Sequence, residues 1–369
     1  MDTSVLSGLE LTKWRKNFIR EYIRDSAFEP YMGDSAMDII HVVNDLKTDG
    51  YTIRVPLLRQ LKGAGVKGNQ RLSGNEEPLD QYYQDISWEY YRNAVEISKK
   101  EREKSAVELL AAARPQLREW AAEHVKYRII DGFASKNGVR YQDADEVTVK
   151  DVWMTNNADR VLVGNAIANY ATDHSSALAN IDSGDKLSPA VLSLLKTIAR
   201  KARPRIRPFK TGTQGREFYV YFAHPLAFRD LKNDTVMTQA NRDARPRDVD
   251  SNPLFQDGDL IWDGVIVREV PEFWQAIDPD ETVNTATTLV GAGNSVDVCT
   301  GFLCGAQALG FVNKQAATPT SKKEDDYNFF TGMGIELADG IEKLTWNNGS
   351  EPRKDVGIVT HYTYGTPLA

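Results

Sequence analysis

The stretch EREKSAVELLAAARPQLREWAAEHVKYRIIDGF, residues 101–133, constrains this chain more than any other. Val107, Leu110, Ala113, Leu117, Ala121, Val125 and Ile129 recur at gaps of three and four, so a helix would carry them along one face. Glu101, Glu103 and Glu108 come early and Lys126 and Arg128 late, the polarity that suits a helix dipole. Gly132 offers a stop. Helical throughout, the stretch would be roughly 45–50 Å long at 1.5 Å per residue, longer than an ordinary globular helix. Pro115 interrupts it, because a proline inside a helix loses one hydrogen bond and clashes with the preceding turn. Either the helix runs on with a kink near 111–115, or a second helix starts with Pro115 in its first turn. The apolar phase carries through the proline, which favours the single long helix.

A chain of 369 residues, 41% hydrophobic, buries a sizeable core and is long enough for two domains. Its net charge of −7 argues against a dedicated nucleic-acid binder, though not against a local basic face. The two cysteines, Cys299 and Cys304, imply no disulfide framework and suit a reducing compartment; buried free thiols are expected. No apolar run reaches the length of a membrane span, and the amino terminus does not read as a secretory signal.

Residues 9–24, LELTKWRKNFIREYIR, are a short basic amphipathic helix candidate, with Leu11, Trp14, Phe18 and Tyr22 on one side, suited to docking on protein. YTIRVPLL, 51–58, reads as a strand, with Pro56 placing it at an edge or an end. The polar segment 61–79, with glycines at 63, 65, 68 and 74, then leads to YQDISWEYYRNAVEI, 83–97. Together these predict an extended hairpin with a glycine-rich tip, short of partners in its own subunit and resting on something else, a neighbouring subunit being the candidate. Residues 133–160 read as irregular, 155–166 as a turn before a short buried piece, and 182–185, DSGD, as mobile. Ser188-Pro189 caps a helix with Val191, Leu194, Leu195, Ile198 and Ala202 on its apolar face.

ARPRIRPFK, 202–210, is the densest basic patch, holding Arg203, Arg205, Arg207 and Lys210. With one aromatic residue and no base-stacking pattern it reads first as a solvated linker or as a partner for an acidic surface; nucleic acid is the other reading. EFYVYFA, 217–223, is the strongest strand, followed by a helix opened by Pro225, a unit that looks like part of an α/β layer. Asp263-Gly264 inside 259–270 signals a tight hairpin. Residues 296–314 suggest a strand and a short small-residue helix, 324–346 short strands, and 355–365 a terminal strand.

No chemistry declares itself. GAGVKG at 63–68 has the G-x-G-x-x-G spacing but leads into NQRLSGN, which forms no helix to receive a phosphate. The five histidines are dispersed and no metal-ligand spacing or nucleophile elbow occurs, so no catalytic, cofactor or metal residues are expected. The acidic run Glu324, Asp325, Asp326 lacks the alternation of a calcium loop.

Six phrases, in order and spanning nearly the whole chain, resemble the major capsid proteins of tailed bacteriophages, specifically the family typified by the coat protein of coliphage N-four. They are REYIRDSAFEPYMG (20–33), IRVPLLRQLKGAGVKGNQRLSGNEEPL (53–79), TNNADRVLVGN (155–165), FYVYFAHPLAFRDLK (218–232), NPLFQDGDLIWDGVIVRE (252–269) and DVGIVTHYT (355–363). That family is similar to the Hong Kong 97-type capsid fold, an α+β fold with an N-terminal arm, an extended loop, a peripheral domain with a long spine helix, and an axial domain. The resemblance implies an arm over 1–49, an extended loop over 50–98, a peripheral domain over 99–210 completed by 345–369, and an axial domain over 211–344. It implies a structural protein that self-assembles through hexamers and pentamers into an icosahedral shell around phage double-stranded DNA. Such a chain resides in the virion after synthesis in the host cytoplasm. Its partners would be copies of itself, portal, scaffold or decoration proteins, and DNA touched without sequence preference, but no membrane and no cofactor. Trp14 and Phe18 in the arm and Lys62, Lys67, Arg71, Glu76 and Glu77 in the loop are the candidate intersubunit contacts. Some relatives of the fold join subunits by a lysine–asparagine isopeptide bond; no motif marks an acceptor here, and no cross-link is expected. The rival readings are a soluble α/β enzyme whose site forms only in the tertiary structure, and a nucleic-acid-binding protein.

Overall fold

The computed structural model describes residues 28–43, 52–58, 63, 65–76, 81–104, 109–211, 216–243, 260–273, 296, 298–325, 329–346 and 353–367. The helix candidate at 9–24, with Trp14 and Phe18, lies outside the described residues, as do Lys62 and Glu77. In chain order the strands begin with β1 (Met32–Gly33), β2 (Ile40–Val43), β3 (Thr52–Leu58), β4 (Gln81–Ser87) and β5 (Glu89–Ser98). Helices α1 (Lys99–Lys104) and α2 (Leu109–Ala134) follow, then α3 (Val152–Asn156), β6 (Val161–Val163), α4 (His174–Ala179) and α5 (Pro189–Lys201). Next come β7 (Phe209–Thr211), β8 (Arg216–Ala223), α6 (Pro225–Asn233), α7 (Thr235–Asp243), β9 (Leu260–Trp262) and β10 (Val265–Glu269). The last strands are β11 (Val298–Cys304), β12 (Leu309–Asp325), β13 (Phe330–Lys343), β14 (Thr345–Trp346), β15 (Lys354–Asp355) and β16 (Ile358–Tyr364).

Two sheets organise these elements. One has the order β1-β2-β12-β13-β5. The other runs β6-β16-β11-β8-β10-β9, with β7 added against β8. Helix α2 passes through Pro115 without ending, so the long-helix reading holds over 109–134. Ala113, Leu117, Ala121, Val125 and Ile129 are all buried on it, as the spacing requires. Gly132 does not stop the helix. It lies in the last turn, where a Cβ would stand 3.2 Å from Ile341 and 3.3 Å from Leu309, so the missing side chain lets α2 sit close against β12 and β13. Arg128 reinforces that contact, pairing with Asp339 on β13 and lying 4.5 Å over the Tyr91 ring on β5.

Residues 135–145 and 157–160 are irregular as read, but 146–156 are not. A π-helical turn spans Glu146–Asp151, opened by Asp145, whose Oδ1 accepts from the Thr148 amide at 2.8 Å, and runs directly into α3. DSGD is not mobile either. Asp185 is buried: its Oδ1 accepts from Asn165 N at 2.9 Å, its Oδ2 from Asp182 N at 2.9 Å, and its carbonyl from Thr363 Oγ1 at 2.7 Å. The turn is thus tied to the end of β16. Ser188 caps α5 as expected, and β6 is the short buried piece. Asp263 and Gly264 take φ of 48° and 75°, the left-handed pair that a tight hairpin between β9 and β10 needs.

The small-residue helix expected within 296–314 is absent. Residues 305–308 turn and lead straight into β12. Their backbone groups are claimed from outside, Ala306 N by Arg207 O at 2.8 Å and Gln307 N by Asp38 O at 2.8 Å. The short strands expected in 324–346 are instead dominated by the fourteen-residue β13, which pairs with β12 on one side and β5 on the other. The stretch 83–97 is not one arm of a hairpin: β4 pairs with β3, and beyond Trp88 the chain joins the first sheet as β5. Cys299 and Cys304 are buried free thiols. Among the described residues no helix is long and apolar enough to cross a membrane.

Candidate assembly surfaces

The β3–β4 hairpin has an anchored base. Ile53, Val55, Leu57, Tyr82 and Ile86 form a second apolar cluster with Val312, Leu344, Trp346 and Val356 of the same chain. Tyr82 meets Trp346 edge to face at 5.4 Å. Thr345 Oγ1 donates to Gln84 Oε1 at 2.9 Å, and Gln84 Nε2 donates to Glu342 Oε2 at 3.0 Å. Two glycines make the seat: a Cβ on Gly310 would collide with Ile86, and one on Gly340 with the Ser87 carbonyl. The expectation that the whole hairpin lacks partners in its own subunit is therefore corrected; one face of its base belongs to the core.

The tip does project. Residues 67–76 are exposed throughout, and Gly65, Gly68 and Gly74 have positive φ with nothing within 4 Å of where a Cβ would stand, so among the described residues no other part of the subunit meets the tip there. Of the candidate contacts, Lys67, Arg71 and Glu76 are exposed on this tip. Arg71 and Glu76 share one turn: the Arg71 carbonyl accepts from Asn75 Nδ2 at 2.9 Å, and Glu76 Oε2 accepts from Gly74 N at 2.6 Å. Leu72, 61% exposed at the apex of that turn, was not anticipated.

The outer face of the hairpin was not anticipated either. Arg54 donates through Nε and Nη2 to both oxygens of Asp85, at 2.7 and 2.9 Å, and lies 4.0 Å over the Tyr83 ring. The hydrogen bond to Arg54 holds the Asp85 carboxyl below its ordinary range. Tyr83 and Tyr90 are about half exposed, 49% and 53%, and extend this aromatic face from the hairpin onto β5. Alternating pattern alone showed these strands, but which side chains meet across them depends on register, here Arg54 opposite Asp85.

The basic patch is a third surface. Arg203, Arg205 and Arg207 are exposed, alternating with half-buried Pro204 and buried Ile206 and Pro208; Arg200 and Lys201 at the end of α5 are exposed beside them.

Titratable groups elsewhere are structural. His361 is buried with Nδ1 at 2.9 Å from the Tyr221 hydroxyl and Nε2 at 3.0 Å from the Gly164 carbonyl. Only the tautomer that donates from Nε2 and accepts at Nδ1 satisfies both. Burial lowers its pKa to about 4. His174 Nδ1 lies 2.5 Å from Glu146 Oε1, and the His174 ring packs against Tyr141 and Tyr362. Burial lowers its pKa despite that carboxylate. A cleft of about 350 Å³ between α2 and β13 is lined by Tyr91, His124, Arg128, Asp131, Arg140 and Lys343 among others. Its cations are engaged: Arg128 with Asp339, Arg140 with Asp131 at 2.8 Å, Lys343 with Asp355 at 3.3 Å. Among the described residues no cluster of histidine, cysteine or carboxylate side chains could hold a metal ion.

What this geometry offers is contact surface, and the relatives agree. The chain is 27% identical to the major capsid protein of Pseudomonas phage KPP25, over 97% of this chain and 96% of that one. It is 32% identical to the capsid chain of cyanophage Pam1, with a TM-score of 0.80 and 99% of each chain covered. The capsid chain of Ralstonia phage GP4 shares the fold at 18% identity, with a TM-score of 0.67 over 93% of this chain and 92% of that one. The architecture is thus an α+β phage-capsid fold related to Hong Kong 97-type capsids, and the enzyme reading loses its footing to a structural one. The family model described as phage capsid protein matches residues 2–366, and the chain belongs to that family as a major capsid protein.

Proposed function

We propose that this protein builds the icosahedral shell of a tailed phage from hexamers and pentamers of one chain, around a double-stranded DNA genome. The observation that carries the reading is the division of the hairpin. Its base is fixed in the subunit core, while its tip presents Lys67, Arg71, Leu72 and Glu76 with no partner element packed against them among the described residues. An anchored base with an exposed tip is suited to contact across a boundary between copies. The tip carries both charge signs, and exposed ion pairs contribute only about 0–1 kcal/mol each. A closed shell repeats every contact many times, so weak contacts suffice.

Within this reading residues 1–49 act as the arm, with Trp14 and Phe18 docking on protein, and 50–98 as the extended loop, with Lys62 and Glu77 joining the tip contacts. Helix α2 is the spine of a peripheral domain drawn from 99–210 and 345–369, and 211–344 supply most of the axial domain. Strand pairing supports one amendment. β13 sits beside the long helix, whereas β16 pairs with β11 and β6, so the peripheral domain gains 330–343 and the axial domain gains 358–364. The place in the coliphage N-four group, synthesis in the host cytoplasm, and any portal, scaffold or decoration partners belong to the same proposal.

Electron microscopy of the purified protein and of native particles tests it. Closed shells with this chain as the repeating unit are the expected result. A stable monomer under every assembly condition, or particles whose shell lacks this chain, would overturn it.

A further inference from the structure

We propose that Arg203, Arg205 and Arg207, backed by Arg200 and Lys201, form a comb that grips the phosphate backbone of the packaged duplex without reading its bases. This rests on the proposal above that the shell encloses double-stranded DNA, and it names the residues that meet it.

The chain leaves the helical conformation at Ala202, with φ −51° and ψ 150°, and bends through 202–204. From there the side chains alternate: the arginines point out, while Pro204, Ile206 and Pro208 turn inward to differing depths. The backbone is pinned from below. Ile206 N donates to Ala199 O at 3.2 Å, Tyr219 Oη donates to Ile206 O at 3.1 Å, and Ala306 N donates to Arg207 O at 2.8 Å. Arg203 N donates to Asp159 Oδ2 at 2.8 Å. A backbone fixed at these points thus holds three long, exposed cations within one short surface segment. The guanidinium fork suits phosphate oxygens better than a lysine point charge does.

Arg200 and Arg205 reach the Tyr219 hydroxyl and Arg200 acts on Asp263 at longer range, but no carboxylate among the described residues pairs with the cluster directly. Among the described residues none of these five side chains forms an ion pair with a carboxylate. Asp159, the carboxylate touching the segment, is already engaged by Arg160 at 3.2 Å and Lys354 at 3.3 Å. Five such exposed cations on a subunit of net charge −7 call for a polyanion. The absence of a stacking aromatic row favours the backbone of a duplex over a single strand's bases.

The test uses the full-length dispersed subunit and two short duplexes of unrelated sequence, with binding read by fluorescence anisotropy across a salt series. The variant R203Q/R205Q/R207Q should lower the slope of log affinity against log salt by about 2.7, three phosphate contacts at about 0.9 each, equally for both duplexes. The variant R203K/R205K/R207K should keep the wild-type slope, and circular dichroism should show both folded, since the changed side chains lie at the surface. If the wild type binds and the glutamine variant keeps its slope, the comb is wrong while the DNA-lined shell stands. If the wild type binds neither duplex at any salt, the comb is wrong, while the shell reading stands or falls on the particles. A glutamine variant that keeps the slope but no longer assembles would assign the row to an acidic neighbour and overturn the comb.

Discussion

Gly340 sits where β13 passes under the foot of the hairpin, and any Cβ there would collide with the Ser87 carbonyl, a backbone atom that has no rotamer to yield. Overpacking of this kind costs about 1–3 kcal/mol. Gly340→Ala should therefore lower the denaturant midpoint and the Tm of the subunit; a variant as stable as the wild type would show that the hairpin floats on the sheet. The histidines predict a pH dependence. Burial lowers the pKa of His124 to about 4, of His224 to about 3 and of His361 to about 4. A folded-state pKa below the unfolded value near 6.5 means the unfolded chain binds more protons, so stability is lost as pH falls from 6.5 toward 4. Asp339 works the other way: burial raises its pKa to about 6, so its contribution improves as pH falls from 6 toward 3.8. His174 acts with these histidines and Asp131 with Asp339, and His361, fully buried, carries on the order of 3 kcal/mol at about 1.4 kcal/mol per unit. The Tm should fall between pH 6.5 and 4, and His361→Gln should flatten that fall. An unchanged slope in the variant would remove His361 from the account.

The long helix was legible because its period of three and four runs through Pro115 without losing phase, and burial follows that phase from Ala113 to Ile129. The capped helix after Ser188 and the Asp263-Gly264 hairpin were legible for the same local reason. Elements held by distant partners were not. The helical turns at 146–156 are short and are closed by Asp145, and their Trp153 bonds Asp355 from 202 positions away in sequence. β12 follows directly on the small-residue turn 305–308 and carries Ala316 and Ala317 midway, so no β-branched run announces a strand; it exists because β2 and β13 flank it. At the assembly surfaces, exposure of Lys67, Arg71 and Glu76 was readable from a segment with little to bury. The Arg54–Asp85 fork over Tyr83 was not, since it requires register. The split of the hairpin into base and tip sets a prediction for each. Deleting residues 62–74 should leave circular dichroism and the subunit Tm unchanged while sedimentation shows shells lost or weakened. Trp346→Ala, which empties the socket under Tyr82, should cost about 3–5 kcal/mol and unseat the base. Equally stable shells from the deletion, or a subunit that no longer folds, would each defeat the division.

At the scale of the molecule, the two sheets are joined by a buried knot around Asp355. Lys343, at the end of β13 in the first sheet, donates from Nζ to Asp355 Oδ2 at 3.3 Å and to the Ser135 carbonyl at 2.8 Å, just past the end of α2. Trp153 Nε1 donates to the same Asp355 oxygen at 3.2 Å, the Asp355 amide donates to Asn157 Oδ1 at 2.9 Å, and Arg160 donates to the Asp355 carbonyl just ahead of β6 in the second sheet. Lys136, also buried, lies 3.4 Å over the Trp153 ring, and burial lowers its pKa well below the ordinary lysine value. The Lys343 and Asp355 side chains are each 2% exposed, so water compensates neither if its partner goes. Losing one member of such a pair typically costs about 3–5 kcal/mol, whereas replacing both by apolar groups of similar volume is often neutral. Asp355→Leu alone should therefore lower stability sharply, with Lys343 left against Lys136, a second buried lysine. The double variant Lys343→Met, Asp355→Leu should recover most of that loss. Chemical denaturation of the four proteins in this cycle measures the coupling directly. A double variant no more stable than Asp355→Leu alone would mean that the hydrogen bonds from Trp153 and the backbone, rather than the ion pair, bind one sheet to the other.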